Sequence, residues 1–365
     1  MKRLVSIDAA RGLAAILVML AHCTSVLADP RYFGTLPFGG IFQAGGIRMP
    51  FFFAMSGFML SLVHGREVGR AGRVGPFLLG RFARIYPPYW VVLCLLVPVL
   101  LVRPDLRATA SGGLGLVKSL LLWPQPGTRH LPVAWTLECT VLFYLVFAVI
   151  IWRPRVGLAV AGVWQAAILG ATILGAAPHG PWRVLLSPFN FCFVPGAIAA
   201  WLARRATIPR PPAWLALAVA YLLVSETSAR LGTPLVALPW RHAANSVAAG
   251  VALLGLAGWE RQRPLRVPRF LAASGDYSYS LFLVHYPVLA LLGKAGASAG
   301  VGRWLGGEVI FVLFAATCLF AGALFYRVVE RPLVEWTRRR MGLVRGPTPT
   351  GVTSAAAPSA RDEAG

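Results

Sequence analysis

The segment Asp8-Ala-Ala-Arg11-Gly-Leu-Ala-Ala-Ile-Leu-Val-Met-Leu-Ala-His22 places an arginine and a histidine eleven residues apart in an apolar run. In an α-helix, eleven residues make about three full turns, so both side chains fall on one face, about 16 Å apart along the axis. A charge in a membrane helix is costly unless it faces a protein interior or a wet cavity. Arg11 and His22 therefore predict a helix face that borders a polar pathway or an active site.

The composition around this segment indicates the fold class. Of the 365 residues, 57% are hydrophobic and 13% are charged, whereas a soluble domain carries roughly twice that charged fraction. Apolar stretches of membrane-spanning length recur between arginine-rich and proline-rich breaks. The sequence predicts an all-α, polytopic integral membrane protein with about ten transmembrane helices, near 12–28, 48–63, 85–102, 131–152, 156–176, 188–203, 212–226, 242–258, 277–293 and 305–326. The stretch 112–123 is too short to span and predicts a re-entrant or interfacial helix.

The distribution of lysine and arginine predicts the orientation. With the N-terminus inside, the predicted cytoplasmic segments contain 22 of these residues and the opposite loops contain 11. This bias predicts that both termini are cytoplasmic, and it accounts for most of the net charge of +22. We therefore expect the lipid bilayer, with its anionic headgroups, as a partner and do not expect binding to nucleic acid.

The ends of the chain and the cysteines complete the domain organisation. We expect a membrane-embedded domain over 1–340 and a disordered cytoplasmic tail over 341–365. A cleavable signal peptide is the alternative for the first segment, but Asp8 and Arg11 interrupt its apolar core. The five cysteines fall in or at the ends of apolar spans and show no metal-ligand spacing, so we expect neither a disulfide framework nor a metal site.

Two clusters mark the edges of the second and third spans. Pro50-Phe-Phe-Phe-Ala-Met-Ser-Gly57-Phe-Met-Leu60 predicts close helix packing at its small residues. Arg81-Phe-Ala-Arg84-Ile-Tyr-Pro-Pro-Tyr-Trp90 places two arginines on one helix face, with both prolines expected at the start of the span. Because guanidinium groups bind phosphate in bidentate fashion, Arg81 and Arg84 are candidate substrate-binding residues. Positive-inside anchoring with a Tyr/Trp belt is the alternative.

Two further clusters carry candidate site residues. In Trp135-Thr-Leu-Glu138, the acid lies in an apolar run, so Glu138 is expected to face a cavity or a partner cation and is a candidate catalytic residue. Trp135 either stacks on a sugar ring as a substrate-binding residue or anchors the helix at the interface.

The last cluster, Ser278-Tyr-Ser-Leu-Phe-Leu-Val-His285-Tyr-Pro287, contains the candidate substrate-binding residues Tyr279 and His285. They are six residues apart and so point to different helix faces. A hydrogen-bonded structural role is the alternative for His285. Glu330, in Glu330-Arg-Pro near the last span, is expected to pair with a neighbouring arginine.

These clusters, in this order, resemble the acyltransferase 3 family of bacterial integral membrane O-acyltransferases, which typically acylate surface polysaccharides, glycolipids or small metabolites. The motifs are Asp8-x2-Arg11-Gly-x9-His22, Phe51-Phe-Phe-x2-Ser-Gly-Phe, Arg81-x2-Arg84-Ile-x-Pro, Trp135-Thr-Leu with Phe143-Tyr144, Ser278-Tyr-Ser-Leu-x-Leu-x-His285-x-Pro and Glu330-Arg-Pro. One departure is Thr140, which stands where the family commonly carries an acid. Glu138 lies two residues earlier, roughly 200° around the helix.

The resemblance implies an acyl-CoA donor, most commonly acetyl-CoA, a hydroxyl acceptor on a carbohydrate or glycolipid, no bound cofactor, and a location in the bacterial inner membrane. We expect His22 either to deprotonate the acceptor hydroxyl or to relay the acyl group as an acyl-imidazole, because histidine titrates near neutral pH. Arg11 is expected to orient the donor or to stabilise oxyanion charge. A transporter or flippase for a glycolipid or small polar solute is the alternative from another class, and a membrane scaffold is a third.

Overall fold

A computed structural model describes residues 4–43, 46–102, 114–125 and 129–343, and within these ranges the regular structure is helical, with no strand. The predicted tail over 341–365 lies outside the described residues from 344 onward. The α-helices are α1 (Val5–Ala28), α2 (Arg48–His64), α3 (Val74–Val102), α4 (Leu114–Leu120), α5 (Ala134–Trp152), α6 (Pro154–Ile173), α7 (Trp182–Leu185), α8 (Phe193–Arg205), α9 (Pro211–Arg230), α10 (Trp240–Gln262), α11 (Arg269–Asp276), α12 (Ser278–Ser298), α13 (Gly307–Phe325) and α14 (Arg331–Arg340). Short 3₁₀ segments lie at Pro37–Gln43, Ala71–Arg73, Pro188–Cys192 and Val301–Arg303, and a π-helical turn lies at Tyr326–Glu330.

Within the described residues, eight helical stretches are long and apolar enough to cross a membrane. They are Val5–Ala28, Pro37–His64, Ala134–Trp152, Pro154–Ile173, Trp182–Arg205, Pro211–Arg230, Ser278–Ser298 and Gly307–Arg340. The two other predicted spans, 85–102 and 242–258, lie on α3 and α10. The all-helical class is therefore confirmed, and a count of ten spans stays a prediction.

Helix α1 lies at the centre of the bundle. It contacts α2 and α10 on one side and α11, α12 and α13 on another, while α3, α5 and α6 form a further layer. Val18 of α1 packs into a core with α3, α5 and α12, and Ile7 into a core with α2, α8 and α10. Met19 lies in a third core with α12 and α13. Because α1 joins three cores, most of its polar residues, including Asp8, Arg11 and His22, are at least partly buried in the protein.

Small residues allow two close helix crossings. A Cβ atom on Gly57 of α2 would collide with the carbonyl oxygen of Phe193 in α8, which confirms the predicted packing at this position. A Cβ atom on Gly12 of α1 would collide with Ser274 of α11, and one on Gly275 would collide with the Asp8 carbonyl. The second crossing brings the backbone of α11 against the charged start of α1.

Two boundaries differ from the expected ones. Helix α1 begins at Val5, well before residue 12, because the carboxylate of Glu260 accepts hydrogen bonds from the backbone of Val5 and Ser6 at its N-terminus. The expectation that Pro87 and Pro88 start the third span is wrong, since α3 begins at Val74 and holds both in its interior. Transmembrane helices tolerate such prolines because neighbouring groups serve the freed backbone.

The short helix α4 packs beside the middle of α3, as a segment too short to span. The side chains of Tyr86, Tyr89 and Trp90 donate hydrogen bonds to its last turn, at distances of 3.1, 2.8 and 2.8 Å. The acceptors are the carbonyl oxygens of Leu121, Ser119 and Leu120. These three hydrogen bonds hold the end of α4 against α3.

Contacts between helix ends define two ends of the bundle. At one end α1 begins, and α2, α8 and α10 end. We call this the basic end, because four arginines lie there: Arg66, Arg204, Arg205 and Arg261. At the opposite end, α1 ends, α2 and α10 begin, and the side chain of Asn245 donates to the Gly46 carbonyl at 2.8 Å.

Candidate active site

Two histidines meet between α1 and α12. Nδ1 of His22 lies 2.9 Å from Nε2 of His285, and the two ring planes are inclined by only 13°. The ring centroids are 5.1 Å apart, which is the separation expected when nearly coplanar rings hydrogen bond edge to edge. His285 is fully buried, whereas His22 is half-buried. The pair is therefore a hydrogen-bonded dyad with one member open to the surroundings.

The hydrogen bonds of the dyad determine which nitrogens carry protons in its neutral form. Nδ1 of His285 lies 3.0 Å from the carbonyl oxygen of Leu281, and a carbonyl oxygen can only accept. Nδ1 of His285 is therefore the donor, and its Nε2 is the acceptor for the Nδ1–H of His22. As a result, Nε2 of His22 carries a lone pair, as a general base requires.

Aromatic rings fix the dyad in place. Tyr286 meets His22 edge-on at a centroid distance of 5.7 Å, and Phe282 lies 5.9 Å from His285. Phe282 in turn stacks on Phe52 of α2 at 5.3 Å. The phenylalanine run of the second span therefore supports the histidines from the other side of the bundle.

Arg11 lies on the same face of α1 as His22, as predicted. Its Nη2 and Nε donate to the Gly275 carbonyl at 2.6 and 3.1 Å, and Nε lies 3.2 Å from Oγ of Ser278. Asp8, one turn earlier, lies 3.2 Å from Nη2 as an ion partner. Arg11 thus joins α1 to the junction of α11 and α12, about 16 Å from His22 along the helix. Its catalytic role stays a prediction.

The two arginines of α3 differ in their surroundings. Arg84 lies 3.6 Å from the buried carboxylate of Glu330, which also accepts a hydrogen bond of 2.5 Å from Ser280. This contact confirms the predicted pairing of Glu330 with a neighbouring arginine. Arg81 lies over the ring of Tyr144 at 5.9 Å, and its buried Nε has no hydrogen-bond partner among the described residues. Arg81 therefore keeps a buried N–H donor that no described residue satisfies.

Tyr279 and His285 point to different helices, as their spacing predicts. The hydroxyl of Tyr279 donates to the Ile85 carbonyl of α3 at 2.8 Å, whereas His285 bonds to α1. Tyr279 therefore positions α3, and with it Arg84, against α12. Direct contact of Tyr279 with a substrate stays a prediction.

Glu138 is held by a cation, one of the two environments expected for it. Its two carboxylate oxygens accept bonds of 2.9 and 2.8 Å from Nε and Nη2 of Arg129. The carboxylate is buried, and the arginine side chain is mostly shielded. Trp135, one turn earlier, contacts the rings of Phe53 and Phe189 at 5.9 and 5.2 Å and is half-buried. These contacts account for both side chains structurally and leave their chemical roles as predictions.

The model of an acyltransferase domain, Acyl_transf_3, matches residues 4–327. The chain belongs to the acyltransferase 3 family. It is 28% identical over 316 residues to the exopolysaccharide production protein ExoZ of Rhizobium meliloti (strain 1021), covering 83% of this chain and 93% of ExoZ. It is also 26% identical over 386 residues to the acyltransferase MdmB of Streptomyces mycarofaciens, covering 95% and 96% of the two chains. No solved structure matches it.

As a member of the acyltransferase 3 family, the chain is a multi-pass membrane O-acyltransferase, and its departure from the family pattern has a local explanation. Thr140 is buried, and its hydroxyl donates to the Thr136 carbonyl at 2.8 Å, within its own helix. Where the family commonly carries an acid, this chain therefore has a hydroxyl group whose hydrogen bond is made within its own helix. The acid of this segment is Glu138, on another face of α5.

Two residues near the site were not singled out from the sequence. Arg129 precedes α5 in a loop, and only the fold brings it to Glu138. Arg48 begins α2 at the opposite end of the bundle, where its charge acts on His22, and its buried Nε has no hydrogen-bond partner among the described residues. In the sequence, both belong to the 11 basic residues of the loops opposite the predicted cytoplasmic side, and Arg48 differs in lying directly beside an apolar run.

Proposed function

We propose that this chain transfers an acyl group, acetyl in the first instance, from acyl-CoA to a hydroxyl of a carbohydrate acceptor such as a cell-surface polysaccharide or glycolipid. The observation that carries the proposal is the dyad of His22 and His285, whose hydrogen bonds leave the lone pair on the half-buried ring. Acyl transfer to a hydroxyl needs a base of this kind. The name of ExoZ, which refers to exopolysaccharide production, supports a polysaccharide-type acceptor.

In the proposed step, Nε2 of His22 takes the proton of the acceptor hydroxyl as its oxygen attacks the thioester carbonyl. The tetrahedral intermediate then collapses, the carbon–sulfur bond breaks, and the proton moves from His22 to the departing thiolate of CoA. His285 is a positioning residue, because its Nε2 accepts from the other nitrogen of His22 throughout. The bond of His285 to the Leu281 carbonyl keeps it in the tautomer that can accept.

The donor is proposed to arrive from the basic end of the bundle, which we take as cytoplasmic in the bacterial inner membrane, with both termini on that side. The two-to-one bias of lysine and arginine supports this orientation. Arg11, Arg81 and Arg84 then lie toward the side from which the phosphates of CoA arrive, and a pantetheine arm suits the distance of about 16 Å from Arg11 to His22. We assign Trp135 and Tyr279 to the walls of the substrate path.

The test compares histidine variants in lipid nanodiscs, with radiolabelled acetyl-CoA and a glycolipid extract of the source membranes. His22→Ala is expected to lower label transfer by about 10²–10⁴-fold, the usual contribution of general-base catalysis. His285→Ala is expected to lower kcat at least about tenfold with little change in KM, because it disturbs orientation rather than binding. His179→Ala, in an exposed loop, is the matched control and is expected to transfer normally.

The outcomes separate the proposal from its rivals. Near-normal transfer in His22→Ala would exclude this histidine as the base. Labelled protein that is trapped in the wild type and absent in His22→Ala would indicate an acyl-imidazole relay instead of direct attack of the acceptor on the donor. A wild-type protein that neither binds nor turns over acetyl-CoA in the nanodiscs would favour transport over acyl transfer.

A further inference from the structure

A separate cavity lined by several arginines lies at the basic end of the bundle, away from the histidines. It has a volume of about 780 Å³ and is formed where α1 begins and α2, α8 and α10 end. Its described lining includes four arginines and a single acid, Glu260. The four arginines are Arg66, Arg204, Arg205 and Arg261. A cavity of this size is within the range of small-molecule sites.

The acid of this cavity is already engaged elsewhere. Oε1 of Glu260 accepts from the Val5 amide at 2.8 Å. Oε2 accepts from the amide and the hydroxyl of Ser6 at 2.9 and 2.5 Å. A carboxylate at a helix N-terminus is stabilised there by the free amides and the helix dipole. Glu260 therefore fastens the start of α1, and its oxygens do not form salt bridges with the arginines among the described contacts.

The arginines concentrate positive charge on the cavity. Arg204 lies close enough to Arg66, Arg205 and Arg261 for all three to oppose its charge. Its Nε is buried without a hydrogen-bond partner among the described residues. The guanidinium packs over Gly65, where a Cβ atom would collide with it, so a glycine here makes room for the group. A buried donor and like charges held together both favour an anion.

Arg204 and Arg261 contact the ends of neighbouring helices, unlike arginines that only anchor a helix at the membrane edge. Arginines that only anchor a helix extend into water or toward the headgroups. Here Arg204 is folded back over α2, and Nη1 of Arg261 donates to the Ala203 carbonyl at the end of α8. Their positions are thus fixed by the ends of three helices, as in a preformed site.

We propose that this cavity binds a phosphate group, carried either by CoA or by an anionic phospholipid headgroup. Planar guanidinium groups bind phosphate through paired hydrogen bonds, and the four arginines offer several such pairs. A bound phosphate would balance the positive charge of the arginines, because the carboxylate of Glu260 is bonded to the start of α1. This site lies apart from Arg84, whose charge is already balanced by Glu330. The proposal concerns binding alone and holds whether or not acyl transfer occurs as described above.

The experiment compares a double variant of the cavity with a control of equal charge loss. Arg204→Gln with Arg261→Gln removes two cavity charges, and Arg153→Gln with Arg269→Gln removes two exposed charges from outside its lining. In neutral phosphatidylcholine nanodiscs, calorimetry measures binding of CoA and of 3′-dephospho-CoA. In detergent, native mass spectrometry measures retention of phosphatidylglycerol against phosphatidylcholine.

One of the two measurements, CoA binding or phosphatidylglycerol retention, is expected to change, and only in the cavity variant. If CoA is the source, its Kd rises at least about tenfold, because two charge-assisted hydrogen bonds are lost. If a lipid is the source, bound phosphatidylglycerol disappears while CoA binding is unchanged. Arg204→Lys, which keeps the charge, is expected to restore part of the binding.

The proposal is overturned if neither arm changes, or if the control variant loses binding to the same extent. Arg66→Gln with Arg205→Gln, on the exposed rim, serves as a second variant should the first fail to fold. Because binding is measured without turnover, a failure here leaves the test of His22 unaffected. Conversely, an active His22→Ala enzyme would contradict the assignment of the base but would not bear on the proposed phosphate site.

Discussion

The bidentate pair of Glu138 and Arg129 allows the structural and chemical roles of this acid to be separated. Glu138→Gln replaces one oxygen of a buried carboxylate that accepts two charge-assisted hydrogen bonds. It leaves the mostly shielded guanidinium of Arg129 without that negative partner. Breaking one half of a buried ion pair costs about 3–5 kcal/mol, chiefly because the remaining charge stays desolvated.

This cost predicts a measurable change in thermal stability. A loss of about 3–5 kcal/mol corresponds to a fall in Tm of about 4–7 °C for a chain of this size, if it unfolds as one unit. Arg129→Gln is expected to cause a similar fall. The double variant Glu138→Gln with Arg129→Gln is expected to recover about half of the loss, since two neutral amides can bond to each other without a buried charge.

The assay is thermal unfolding of the purified variants in detergent, followed in parallel with acyl transfer. If Glu138 acts by holding Arg129, activity follows stability through the cycle. If the two single variants lose stability additively, with no recovery in the double, then the ion pair is not the source of the effect. A stable but inactive Glu138→Gln would instead give this acid a direct role in the reaction.

Two further predictions concern packing and pH. Gly57→Ala is expected to cost about 1–3 kcal/mol of stability, because its methyl group would collide with the Phe193 carbonyl, whereas Gly162→Ala, in a helix with open space around it, is expected to stabilise by about 0.5–1 kcal/mol. Equal effects on Tm would refute the close crossing. Burial lowers the pKa of His130, whose Nδ1 lies 2.9 Å from the Ser119 hydroxyl. Its contribution to stability is therefore complete above the unfolded pKa of about 6.5 and is lost as pH falls below it. His130→Gln is expected to flatten the fall in Tm between about pH 7 and pH 5, and an unchanged slope would contradict this.

The apolar pattern was sufficient to predict the helical class and the position of most long helices. Each predicted span overlaps a described helix, because length and hydropathy are local properties of the chain. The start of α1 was placed too late, since the charges at Asp8 and Arg11 look like a boundary until their partners are known. The position of Pro87 and Pro88 inside α3 is hard to predict for the same reason. The free-energy cost of a proline within a helix depends on neighbouring groups that only the fold brings near.

The candidate site was predictable in its residues but not in its pairings. The eleven-residue spacing of Arg11 and His22 was sufficient to predict that they share one face of α1. The bond from His22 to His285 joins residues that no local period relates, and the tautomer of the dyad depends on the Leu281 carbonyl. Likewise, the loop position of Arg129 gave no indication that it holds Glu138.

The long separation between His22 and His285 has a consequence for the synthesis of the protein. At a synthesis rate of about 5–20 residues per second, the 263 residues between them take roughly 13–50 s to emerge from the ribosome. During that interval, α1 must wait in the membrane before α11 and α12 can cover its polar face. Asp8 is only three residues from Arg11, so its ion pair can form as soon as the helix does. We therefore expect this short-range pair to balance the charge of Arg11 in the nascent first helix until the later helices are made.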